Sequence, residues 1–224
     1  MMGGKLRSGS RRAKQRNDTG AKAQFNHKPK RESKKATTGV FEGIAYDSLG
    51  ELAFLQWAKE LAVAGYIKSL ERAEGFLLSD ALQVNYVEQL KTKSKPMQQT
   101  ILHGHSYTPE FKIIWNKKAF EKFVQDSGDG KRFDKLFIGK IVGDYGVTYV
   151  EIKPLFDFQN TTRMFVINQK WMLQKHNIFV NLVKCPELFS HTFTPVAYLT
   201  TPSGFKRKIK WKPRGLYSYI NGRS

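Results

Sequence analysis

VEIKP, residues 150–154, is the stretch on which the reading of this chain turns. Side chains alternate across a strand, so Val150 and Ile152 point to one face and Glu151 and Lys153 to the other. If the apolar pair faces a core, a carboxylate and an ammonium share the opposite face. That pairing is either a solvated strand face or half of a metal-dependent site. Pro154 cannot donate to a central ladder, so the strand predicted over 146–154 ends there.

Working outward, residues 160–177 read as a helix, with Met164, Ile167, Trp171 and Gln174 at helical spacing. IFVNLV, 178–183, has the continuous apolar character of a buried strand. Upstream, EFKIIWN (110–116) reads as a strand entered from Pro109. Residues 117–126 read as a short helix, 127–132 as a loop and 136–141 as a further strand. A helix is predicted over 46–65, capped by Asp47 or Ser48 and closed by Gly65. Leu52, Leu55 and Ala62 lie near one stripe of it. Residues 66–73 and 81–91 read as strands, and 98–104 is a further candidate. The C-terminal FKRKIKWKPR (205–214) reads as a basic edge strand or tail. Helix, strands, helix and strand in this order imply an α/β domain with a mixed sheet.

Charge narrows the function. The 224 residues carry 38 Lys and Arg against 19 Asp and Glu, a net charge of +19. Such a charge repels itself in a compact state, so a polyanionic partner is expected. Nucleic acid is the first candidate and an anionic membrane surface the second. No run approaches the roughly 20 apolar residues of a membrane span, and the N-terminus lacks the apolar core of a secretory signal. The lone Cys185 excludes an internal disulfide and points to a reducing, intracellular setting. Residues 1–40 hold twelve Lys or Arg and two acids, with Phe25 their only aromatic. They are expected to form a disordered basic arm, either a solubilising tail or a nonspecific grip on phosphates, ahead of a folded domain over 41–224.

Candidate chemistry gathers around Glu151 and Lys153. Glu110 opens an apolar strand in YTPEF. Glu51 shares a helix row with Leu55, Ala58 and Ala62, so it points toward the core side, where an acid is costly unless paired or metal-bound. Two carboxylates near 4 Å repel by about 4 kcal/mol at an effective dielectric near 20. A hard divalent ion reverses that sign. It polarises a phosphodiester and lowers the pKa of bound water. A neighbouring lysine orients that water or stabilises charge on phosphorus. His103 and His105 lack partners at zinc-ligand spacing and read as loop histidines. Phe165 and Trp171 read as core. Lys206, Arg207, Lys208, Lys210, Lys212 and Arg214 suit a lysine-protected edge strand or phosphate contact.

The ordered set DSLGE, YTPEF and, 41 residues on, VEIKP resembles the PD-(D/E)XK nuclease superfamily. The block over 46–184 is similar to small phage-encoded nucleases, among them Holliday-junction-resolvase-like and head-completion nucleases, and to the N-terminal domain of the TnsA-type transposition nuclease. The resemblance implies a restriction-endonuclease-like mixed sheet flanked by helices, and Mg²⁺- or Mn²⁺-dependent hydrolysis of branched or duplex DNA. It implies Glu110 and Glu151 as metal ligands, Lys153 as the catalytic lysine and Glu51 as a further aid to the metal, with Gln169 and Lys170 near the site or DNA. Lys206, Arg207, Lys208 and Lys210 would grip the backbone. Partners would be DNA and phage replication, recombination or packaging machinery, in the host cytoplasm or with the virion. Junction cutting would favour a homodimer, because two strands must be cut. Two departures stand out. Glu110 occupies a position usually held by Asp, and the stretch before Glu151 is long, which leaves Asp134 and Asp144 as alternative ligands. The rival readings are a noncatalytic DNA-binding or virion structural protein with a decayed nuclease fold, and an RNA-binding protein.

Overall fold

A computed structural model describes residues 38–120, 122–125, 135–156, 161–201 and 203–222. The basic arm up to residue 37, the loop 127–132 and Asp134 lie outside these residues.

Gly39–Phe41 (β1) and Ile44–Tyr46 (β2) form a tight hairpin whose turn residues, Glu42 and Gly43, both have positive φ, as a two-residue turn requires. Helix α1, Leu49–Val63, follows. Ser48 caps it by accepting the Glu51 N–H, and Gly65, at φ +72°, lets the chain reverse after it. Next come Ile67–Arg72 (β3), Phe76–Ser79 (β4), Leu82–Gln89 (β5), Ser94–Leu102 (β6), His105–Tyr107 (β7) and Phe111–Asn116 (β8). Val124–Gln125 (β9) pairs in parallel with Leu136–Phe137 (β10). Lys140–Val142 (β11), Tyr145–Ile152 (β12), helix α2 (Thr161–His176) and Val180–Val183 (β13) follow. Two short helices, Cys185–His191 (α3) and Leu216–Ile220 (α4), close the order.

The main sheet is built on β12. It runs antiparallel to β8, which is antiparallel to β3. On its other side β12 pairs antiparallel with β11 along its first half and parallel with β13 along its second. The parallel step is made by α2, as a parallel pair requires a crossover. Both faces of the sheet are covered. Val150, Ile152, Phe111, Ile113 and Trp115 pack with Phe54, Trp57 and Leu61 of α1. On the reverse face Tyr149 and Val180 pack with Phe165 and Met172 of α2. Trp57 is fully buried, stacked on Phe54 and Phe193 at 5.6 and 5.7 Å.

Several expectations are corrected. Residues 117–126 hold no α-helix among those described: a 3-10 turn at Lys117–Ala119 gives way to β9. Burial of Phe123 against Trp57 outweighs local helix propensity there. The strand expected over 136–141 is two short ones, β10 and β11. The C-terminal basic stretch is not an edge strand; Lys206 alone makes a bridge, to Thr200. Its arginines bond to carbonyls instead, Arg207 to Tyr198 and Arg214 to Thr192. On α2 the stripe Met164, Ile167, Trp171 is exposed, Trp171 included, while Phe165 and Met172 face the sheet. On α1, Ala62 is exposed, but Glu51, Leu55 and Ala58 are buried.

Candidate functional site

The carboxyl end of β12 carries the site. Its pairing with β8 runs to Val150 opposite Phe111. One residue further, the Glu110 N–H donates to the Val150 carbonyl at 3.0 Å. The Glu110 side chain then reaches across, and its Oε2 accepts the Ile152 N–H at 2.6 Å. On the opposite flank the Lys153 N–H donates to Val183 O of β13. The end of β12 is therefore held from both sides. Val150 and Ile152 enter the α1-side core, so Glu151 and Lys153 share the other face, as alternation predicts.

Glu151 is buried and doubly held. Lys153 Nζ donates to its Oε1 at 2.7 Å, and the Tyr107 hydroxyl donates to its Oε2 at 2.9 Å. Burial, and then the charge and hydrogen bond of Glu151, push the Tyr107 phenol far above its ordinary range, so it stays a donor.

Glu51 enters from the first turn of α1. Its Oε2 accepts the Asp47 N–H at 3.1 Å and lies 2.9 Å from Arg72 Nη1. Arg72, near the end of β3, forks: its Nη2 pairs with Asp47 at 2.9 Å, while Nη1 also reaches the Glu110 carbonyl at 3.4 Å. The buried acid expected at position 51 thus has a guanidinium partner.

Glu110 joins the three acids electrostatically. Burial first, then the charge of Glu151 and, less, that of Glu51, push its carboxyl up to about 8. The Ile152 N–H and Lys153 oppose the rise without cancelling it. Beside it, Cys185 donates from its thiol to the Gly50 carbonyl, and burial raises the thiol pKa, with the Glu110 charge adding to the rise.

Among the described residues, no three His, Cys, Asp or Glu side chains form a group that could hold a metal ion. Glu51 is committed to Arg72. Glu110 and Glu151 remain as a pair of hard oxygen donors, and Mg²⁺ ordinarily needs only one or two carboxylates beside water and substrate phosphate. A carboxyl that keeps its proton near neutrality through burial and the charge of Glu151 fits such an ion.

The other expected residues separate. Asp144 pairs with Lys117 at 3.3 Å in the turn before β12, at the far end of that strand from Glu151. It is not an alternative ligand. Gln169 is spent on structure, its amide donating to Val180 O at 2.6 Å. Lys170, Lys206, Lys208 and Lys210 are exposed, while Arg207 bonds to Tyr198 and stacks over its ring at 4.4 Å. His105 contacts Asn168 and Trp171 on α2. Sequence reading passed over Tyr107 and Arg72. Tyr107 stood within YTPEF itself, but nothing in the sequence marked Arg72.

Compared with known proteins, the chain matches no family model, no curated protein and no solved structure. No described helix is long and apolar enough to cross a membrane.

Proposed function

We propose that this chain is a PD-(D/E)XK-type nuclease with a restriction-endonuclease-like fold, phage- or mobile-element-encoded, that hydrolyses phosphodiester bonds of branched or duplex DNA with Mg²⁺ or Mn²⁺. The observation that carries the reading is the meeting of Glu110, Glu151 and Lys153 at one end of β12, with Glu110 bonded to the amide between the other two. The mixed sheet flanked by helices supports it, as does the net charge of +19.

Glu110 and Glu151 would hold the ion, which polarises the scissile phosphate and acidifies a bound water. Glu110 has one oxygen occupied by the Ile152 N–H and offers the other. It gives up its proton on taking a cation. Tyr107 holds one oxygen of Glu151 and so fixes the carboxylate plane. Lys153, released from Glu151 Oε1 or shared with it, orients the attacking water and faces the developing negative charge. Arg72 holds Glu51 and the Glu110 backbone in register, so Glu51 contributes through Arg72 or through a water. The test is nicking of supercoiled DNA with Mg²⁺. Glu151→Ala and Lys153→Ala are expected to lose at least about a hundredfold in rate; cleavage equal to wild type would discard the assignment.

One observation favours a second reading, a noncatalytic DNA-binding or virion structural protein. Glu51 and Glu151 already have cationic partners in Arg72 and Lys153, so the fold satisfies them without metal. That reading expects no shift in melting temperature with Mn²⁺; the nuclease reading expects a rise that Glu151→Ala removes.

A further inference from the structure

Strands β5 and β6 pair along their whole length as a two-stranded ribbon, turned at Leu90–Lys93. Almost every residue in it is exposed. A two-stranded ribbon alone is marginally stable in water. At about 3.4 Å per residue, an eight-residue strand carries the tip roughly 27 Å from the root. The tip bears Lys91, Lys93 and Lys95, all exposed, and the ribbon's one acid is Glu88. Alternation puts Gln83, Asn85, Gln98 and Thr100 on one face, side chains that both donate and accept. The other face is mainly apolar, with Leu82, Val84, Tyr86 and Met97. The root is anchored by β4 pairing with β7, and β7 ends at Tyr107, the residue that donates to Glu151.

We propose that this ribbon is a duplex-gripping arm that lies in the major groove of DNA, its lysine tip on the phosphates and its polar face toward base edges. The choice of DNA rests on the nuclease reading. The geometry and charge are the ribbon's own: a groove about 12 Å wide admits a two-stranded ribbon, and the tip is charge-complementary to a polyanion. Through Tyr107, the arm's root and Glu151 are one hydrogen bond apart, so seating the arm fixes where a phosphodiester meets β12.

The test is duplex binding by fluorescence anisotropy without divalent metal, across a series of salt concentrations. Removing three phosphate contacts in K91A/K93A/K95A should lower the slope of log affinity against log salt by about 2 to 3. The triple arginine variant should keep the slope, and single-stranded DNA should lose less affinity than duplex. An unchanged slope in the alanine variant overturns the proposal. So does a Val84→Ser/Tyr86→Ser variant whose sedimenting mass halves while its DNA affinity is untouched, since the ribbon would then join two copies of this chain. Glu151→Ala separates the two readings. It should retain the full slope while cleaving nothing. A lowered slope in K91A/K93A/K95A together with no cleavage by the wild type would sink the nuclease and leave the arm standing.

Discussion

Glu110 is a carboxylic acid held close to neutrality by its surroundings. Its pKa, pushed up to about 8 by burial and by Glu151 and Glu51, has consequences of definite sign. Between the ordinary carboxylate value and 8, the folded chain keeps a proton that the unfolded chain has released. Stability therefore falls as pH rises through that window. The full shift amounts to at most about 5 kcal/mol. Glu110→Gln, which keeps the neutral shape and the acceptor for Ile152, should flatten the stability profile from about pH 5 to about pH 8 in urea unfolding. In the nuclease reading, a divalent ion bound at Glu110 would expel the same proton. Mn²⁺ affinity should climb with pH and level off above about 8, with proton release per ion approaching one well below pH 8 and vanishing above it, read by calorimetry in buffers of different ionisation heat. Affinity indifferent to pH would remove Glu110 from the metal's ligands.

At the scale of elements, Arg72 ties the start of α1 to the end of β3. Removing it leaves Glu51 buried with a charge unmatched. Arg72→Ala is expected to cost about 2 to 3 kcal/mol, toward the low side for a broken buried pair because the guanidinium is a third exposed. Adding Glu51→Gln should recover most of that loss, and equilibrium unfolding of the cycle measures it. Ser48→Ala should cost about 1 kcal/mol through the lost cap. Helix α1 was legible because its signals are local: Ser48 at one end, Gly65 at the other, an apolar row between. The alternation in β12 was legible for the same reason, and it placed Glu151 and Lys153 correctly. Residues 117–126 failed because Phe123 is drawn onto Trp57, a contact that no local pattern encodes. The stripe on α2 failed because periodicity gives a helix, not which side of it meets the sheet. Tyr107 and Arg72 depend on pairings across 44 and 21 residues, Tyr107 with Glu151 and Arg72 with Glu51. Only tertiary packing, of α1 on the sheet and of the β4–β7 pair beside β12, brings such partners together.

At the scale of the whole molecule, the sheet separates two cores that share β12. Trp57→Ala should cost about 3 to 5 kcal/mol and Met172→Ala about 2 to 5. Sitting on opposite faces without common neighbours, the two losses should add within about 0.5 kcal/mol in urea unfolding. A marked departure would mean that β12 transmits strain between the faces.

Cys185 offers a final consequence. It is the chain's single thiol, almost inaccessible, and its hydrogen lies on the carbonyl beside Glu51. A coloured disulfide reagent can reach it only when α3 parts from α1. The rate of labelling is then a clock for that parting, read without adding any probe to the protein. Slower labelling in the presence of Mn²⁺ would mean that occupancy at the carboxylates tightens the seam between these helices.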